Sequence, residues 1–296
     1  MIRIDDLIAK VSGYAPTGAD LEILSKAYVY SARLHRNRFS PVGTPVVQHS
    51  LEVSNILAEF RLDTHCVVAG LLHDVLEEEL ADPSSLREMV GADVAGLVEA
   101  LSHLNRATFQ GSVATRAEHM RQMILATTRD LRVILILLAD RLQYLRDSTG
   151  LTEDGRLGLA RETLAIYAPI AHRLGIHFFK AEMEDLAFRI LEPAAFLELQ
   201  KGVEKRVTQR KTRLEEITGE LADLLELHEI DGEVYGRDKN LYSIHTKMQR
   251  DRLGLDRISD LLATRITVAR TQDCYRLLGL IHAAYTPLPG KFKDYI

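Results

Sequence analysis

Cysteine is scarce. Cys66 and Cys274 are the only two in 296 residues, and they lie far apart without metal-ligand spacing. That excludes a disulfide frame or a cysteine-built metal site and suggests a reducing compartment. Basic excess is absent as well: the formal charge is -5, which gives no sign of the phosphate-backbone binding that clustered Lys and Arg would provide. Nucleic acid is therefore not an expected partner. No apolar run is long enough for a membrane span, and the opening MIRIDDLIAK carries early acids where a secretion signal would carry bases. The expected location is the cytoplasm. Internal repeats and low-complexity tracts are also missing.

Apolar residues make up 46% of the chain, enough for one large core or two ordinary ones, and two domains are expected. From Leu21 to Phe196 the pattern is mainly helical, with Val53, Ile56, Leu57 and Phe60 falling on one face of a 3.6-residue period. Cys66 to Leu72 and Val133 to Ala139 are apolar all round, as helices in the middle of a bundle are. For Val133 to Ala139 a buried strand is the competing reading, because three of its residues are β-branched. Loop signals collect at Ser40 to Pro45, Asp82 to Ser85, Phe109 to Ser112 and Ser148 to Gly155.

Between Leu197 and His228 the chain turns to Glu, Lys, Arg and Leu at helical spacing, which predicts long connecting helices. Glu233 to Gly236 and Ala263 to Ala269 then look like strands, and Gln272 to Tyr285 like a helix. The expected fold is a mainly α unit over 1–196, connecting helices over 197–230, and a smaller α/β fragment over 231–296. The chain ends on KFKDYI without a turn or polar tail, so it is expected to be truncated.

The chemistry concentrates in His49, the adjacent His73 and Asp74, and Asp140, three of which adjoin long apolar stretches predicted to be helical. Each alone is an ordinary feature of a helical core. Buried together without partners they would cost several kcal/mol, a cost that convergence of two imidazoles and two carboxylates on one divalent cation would offset. That shell suits manganese, iron or zinc. On a helix, Glu77 would stand one turn beyond His73 and Glu78 one turn beyond Asp74, at the edge of the metal face. A proton shuttle belongs there. Glu79 fits a solvated helix end better.

The stretches GTPVVQHSLEVSNILAEFRLDT, VAGLLHDVLEEE, LRVILILLADRLQYLR and RETLAIYAPIAHRLGIHFFKAEMEDLAF strongly resemble the HD hydrolase domain of the RelA/SpoT homologues. The likeness implies a helical HD bundle in which His49, His73, Asp74 and Asp140 hold Mn2+. It further implies that Glu77 and Glu78 assist water attack on the 3′-pyrophosphate of ppGpp or pppGpp, releasing pyrophosphate and GDP or GTP. GRDKNLYSIHTKM resembles the family's ATP-phosphate segment, with Arg237, Lys239, Ser243 and Lys247 in matching places. The run from Ile258 onward extends that likeness to a nucleotidyltransferase-like synthetase domain, with Asp260 at its magnesium-binding position and Lys291 in the basic KFKD variant. The end falls before the family's guanine-stacking tyrosine and catalytic glutamate, so no alarmone synthesis is expected of this chain.

The nucleotide pocket departs from the family. Ser40 stands nine residues before His49, where an Arg usually stacks on guanine, and Arg38 lies two residues earlier. Tyr144 replaces an Asn, Asp147 a Thr, His103 a Lys and Glu78 an Asp. Arg38, Tyr144 and Arg146 are the expected nucleotide contacts. Hydrolysis of another nucleotide, or a regulatory pseudohydrolase attached to a synthetase, are the alternatives to an alarmone hydrolase.

Overall fold

The computed structural model describes residues 2–15, 18–106, 121, 130–238, 240–258, 262–287 and 292–294. They form two compact units, Met1–Leu191 and Glu192–Ile296.

The first unit is helical. Its described helices are α1 (Ile4–Ser12), α2 (Gly18–Leu34), α3 (Val46–Glu59), α4 (Thr64–Leu71), α5 (Pro83–Arg106), α6 (Leu131–Arg146), α7 (Glu153–Glu162), α8 (Ala168–Arg173) and α9 (His177–Leu191). α5 is broken at Gly91, whose φ of +83° suits a residue without Cβ. The apolar runs explain the packing. α4, from Thr64 through Leu71, is buried along its whole length except His65, and α3 from Val46 to Ala58 almost so. These two helices and α6 are the centre of the core, with Ile56, Leu57, Leu71 and Ile134 fully enclosed.

Val133 to Ala139 is helix, inside a 16-residue α6 that opens on Asp130, whose side chain accepts from the Arg132 amide at 2.9 Å. An N-cap followed by four turns is longer than a strand runs, so length settles what periodicity leaves open. A single π turn, Thr163–Tyr167, joins α7 to α8. Cys66 and Cys274 are both free thiols.

In the second unit the stretch expected as several connecting helices is one 35-residue helix, α10 (Pro193–Leu227). Strands β1 (Gly232–Asp238) and β2 (Leu262–Val268) pair antiparallel, Gly232 opposite Val268 and Asp238 opposite Leu262. α11 (Leu241–Asp251) lies between them in sequence and α12 (Thr271–Ala284) follows. Leu225 of α10, Ile230 and Leu277 of α12 form its small core against Val234, Ile266 and Val268. Among the described residues no helix is long and apolar enough to cross a membrane.

Candidate metal centre and phosphate cleft

α3 delivers His49 from its first turns, and α6 delivers Asp140 at mid-length. His49 Nε2 lies 2.8 Å from Asp140 Oδ1, and His73 Nε2 lies 3.4 Å from the same oxygen. The nitrogens of both imidazoles and the Asp140 carboxylate lie within 4.8 Å of one another. His73 Nδ1 is 2.9 Å from the Gly70 carbonyl. Donation to that carbonyl places the proton on Nδ1 and presents Nε2 as a donor atom, the arrangement a metal-binding imidazole needs. Two imidazoles and one carboxylate, nearly buried and converging on one point, fit a divalent cation.

Electrostatics point the same way. Burial alone would push the His73 pKa down, yet the Asp74 and Asp140 carboxylates hold it up at about 10. Burial would raise Asp140, but hydrogen bonds and charge from His49 and His73 hold it well below the ordinary carboxylate range. The carboxylates of this pocket therefore demand positive charge, which a proton or a divalent cation supplies.

Two sequence expectations change here. The first concerns His73 and Asp74, expected on a helix. α4 ends at Leu71, and the HDVLEEE stretch continues as consecutive hydrogen-bonded turns, Val75 to Leu72 at 3.2 Å and Glu78 to Asp74 at 2.9 Å. Glu79 closes the series with φ +56°, while the Leu80 amide reaches back to the Val75 carbonyl at 2.9 Å. That is a left-handed stop of the kind glycine usually provides. It separates the glutamates: Glu77 and Glu78 line the cleft with His49, His73 and Asp140, whereas Glu79 lines a different cavity with Tyr30, Arg33 and His103.

The second concerns Asp74, expected as a fourth donor. It lines the same cleft but stands outside the group of three, because its Oδ1 is 3.3 Å from His35 Nε2. Burial would raise its pKa, and His73 and His35 lower it. His35 is itself buried, with Nδ1 3.1 Å from Ser31 Oγ. Sequence reasoning missed it. A single His just past the end of α2 carries no spacing signal.

The cleft has a volume of about 470 Å³. Leu137, Asp140, Arg141 and Tyr144 line it from one face of α6, at i, i+3, i+4 and i+7. The Tyr144 ring lies 4.4 Å from the His49 ring. Phe39, Ser40 and Pro41 form one rim, and Phe39 is 66% exposed. Ser40 is tied to Thr44 through both its amide and its hydroxyl, each at 2.8 Å. Arg38 pairs with Glu78 beside that rim. Arg146 stands apart: its guanidinium is forked on Glu182 at 2.7 and 2.9 Å, and it does not line the cleft. Asp147 accepts from Gln143 at 3.0 Å at the end of α6 and does not line it either.

Arg141 was also missed. It donates to Glu162 at 2.8 Å and to the Tyr167 hydroxyl at 2.6 Å, with its guanidinium carbon 3.9 Å from the Tyr167 ring centre. Glu162 and Tyr167 are five positions apart, which on a regular α-helix would leave them about 140° apart. The wider π turn between them brings both onto Arg141. In the second unit Ser243 and Lys247 lie one turn apart on α11. Arg237 falls in β1, its side chain not among those described, and Lys239, Asp260 and Lys291 lie outside the described residues, as does the Phe109 to Ser112 loop signal.

A helical bundle with this constellation at its centre is an HD domain, and residues 27–177 match the HD domain family. The chain belongs to that family. Residues 236–296 match the region found in RelA/SpoT proteins, so the combination makes it a RelA/SpoT homologue. A GTP pyrophosphokinase of Myxococcus xanthus is 41% identical over 97% of this chain and 38% of its own length. A guanosine-3′,5′-bis(diphosphate) 3′-pyrophosphohydrolase of Haemophilus influenzae is 41% identical over 88% of this chain and 39% of its own length. The bifunctional (p)ppGpp synthase/hydrolase SpoT of Escherichia coli is 38% identical over 100% of this chain and 42% of its own length. The chain thus spans about two fifths of these relatives.

Proposed function

We propose that the first unit hydrolyses the 3′-pyrophosphate of ppGpp and pppGpp, giving pyrophosphate with GDP or GTP, and that His49, His73, Asp74 and Asp140 hold Mn2+ for this reaction. The observation that carries the reading is the convergence of His49, His73 and Asp140 in a cleft whose wall includes Glu77 and Glu78. Asp74 would join the shell by exchanging His35 for the cation. Bound there, the cation would supply Lewis acidity, polarising the phosphoryl oxygens and acidifying water from about 15.7 towards neutrality. Glu77 and Glu78 would orient the attacking water and take its proton. As the water oxygen bonds to phosphorus and the bond from phosphorus to the ribose 3′-oxygen breaks, the same carboxylates return a proton to that oxygen. Arg38 and Tyr144, with the exposed Phe39, would hold the nucleoside end.

A second reading, hydrolysis of a different nucleotide, draws on the rim: Ser40 is tied to Thr44, and Tyr144 lies against His49. In the second unit Arg237, Lys239, Ser243, Lys247 and Asp260 would serve ATP phosphates and magnesium in a synthetase. The deciding experiment is incubation of the purified chain with ppGpp and manganese, followed by anion exchange and elemental analysis. Pyrophosphate release with about one metal per chain is the expected result. Unchanged ppGpp on a metal-loaded protein would overturn the assignment.

A further inference from the structure

The cleft has a charge problem. Among the described residues lining it, Asp74, Glu77, Glu78, Asp140 and Glu162 carry carboxylates, and Arg141 alone carries a permanent positive charge. A pyrophosphoryl group brings several negative charges into that wall, and one divalent cation shared by buried carboxylates leaves little attraction over. We infer that Arg141 is the residue that receives the substrate's pyrophosphate, with Glu162 and Tyr167 as the clamp that aims it. This rests on the reading of the cleft as a phosphohydrolase site.

Three observations support it. Arg141 follows Asp140 directly in sequence and lines the same cleft, so its guanidinium and the candidate metal donors share one wall. Its hydrogen bonds to Glu162 and Tyr167 use two of the five N–H donors of a guanidinium, and the ring contact fixes the plane of the fork. A planar, oriented fork is the geometry that recognises two phosphate oxygens at once. Finally, the arrangement depends on the π turn Thr163–Tyr167, a helical irregularity that often accompanies function. Joining α6 to α7 could be done by apolar packing at lower desolvation cost than by a largely buried ion pair.

The test is calorimetric titration of inorganic pyrophosphate into protein carrying one equivalent of manganese, alongside KM for ppGpp. The double variant Arg141→Gln/Glu162→Gln leaves no unpaired charge behind. It should bind pyrophosphate about tenfold to a hundredfold more weakly, as loss of hydrogen bonds to a charged group implies, while metal content stays at the parent level. Pyrophosphate affinity equal to the parent overturns the inference, and leaves the hydrolase reading intact if ppGpp is still cleaved. An affinity that depends on Arg141 in a protein that leaves ppGpp untouched supports the anion site and sinks the hydrolase reading. A parent that does not bind pyrophosphate overturns the inference outright. Should the double variant melt far below the parent, Arg141→Lys decides: it keeps the charge but lacks the fork, so weaker binding supports the assignment and equal binding overturns it.

Discussion

Replacing Gly150 by Ala tests how the cleft's rim is held. Gly150 ends the short turn Ser148–Gly150 after α6, and a Cβ built there would overlap the backbone carbonyl of Val42. The obstacle is backbone, so no side-chain rotation relieves it. Val42 belongs to a loop that moves as one body, because Ser40 bonds to Thr44 and Gly43 to Ser40, both at 2.8 Å, and Val46 to Arg38 at 3.1 Å. Forcing an extra methyl group into a packed site costs about 1–3 kcal/mol. In a unit of this length each kcal/mol shifts the melting temperature by about 2–4 °C, so the expected fall is roughly 2–12 °C. The displaced loop carries Phe39, Ser40 and Pro41 with it, while His49 on α3 and Asp140 on α6 stay in place. Metal content should therefore hold and KM for ppGpp should rise. Scanning calorimetry, elemental analysis and initial rates measure the three quantities. A control is Gly158→Ala in α7, where nothing lies within 4 Å and helix propensity favours Ala by up to about 1 kcal/mol. A Gly150→Ala protein that melts and turns over like its parent would refute the argument, and loss of metal would show that loop and metal donors are not independent.

Asp140→Asn keeps the shape of the side chain and removes its charge. Manganese at about a hundred times the parent's Kd should stabilise the parent by about 2.7 kcal/mol, and a variant binding a hundredfold more weakly by about 0.4 kcal/mol; equal thermal shifts would refute Asp140 as a donor. Glu77→Gln and Glu78→Gln should each slow ppGpp turnover by roughly a hundred- to ten-thousand-fold with metal content unchanged. Glu79→Gln, in the other cavity, should lose little, and like effects at all three positions would return them to ordinary surface. Asp130 is held below the ordinary carboxylate range, chiefly by hydrogen bonds from the Arg132 side chain. Its stabilising effect is present above about pH 4 and is lost as pH falls through its depressed pKa, so Asp130→Asn should flatten the acid side of the stability profile; an unchanged slope in chemical denaturation would count against it.

The helical half was legible because its core segments are continuous apolar runs, and α6 is long enough to distinguish itself from a strand. His49, His73 and Asp140 were legible for the same reason: ionisable residues at the borders of such runs stand out. What was not legible depends on irregular backbone or on distant partners. The turns that carry Asp74 and Glu77 end on Glu79 in a left-handed conformation, where glycine would have announced a stop. Arg146 looked like a nucleotide contact until its partner, Glu182, 36 positions away, was seen. The clamp on Arg141 escaped because residues five apart do not share a face under a 3.6-residue period. In the second unit alternation marked both strands, yet the long polar helix α10 gave no sign that it is unbroken.

The π turn also makes this segment sensitive to length as well as to composition. A π turn holds one more residue than the α-helix it interrupts. Deleting any one residue from Leu164 to Ile166 lets the backbone become regular, with every hydrogen-bonding side chain of the clamp retained. The register then slips by about 100°, the rotation of one α-helical residue. Tyr167 turns away from Arg141, and α8 arrives at the bundle rotated by the same angle. Insertions and deletions, usually absorbed in loops, would here be as consequential as losing a side chain of the site.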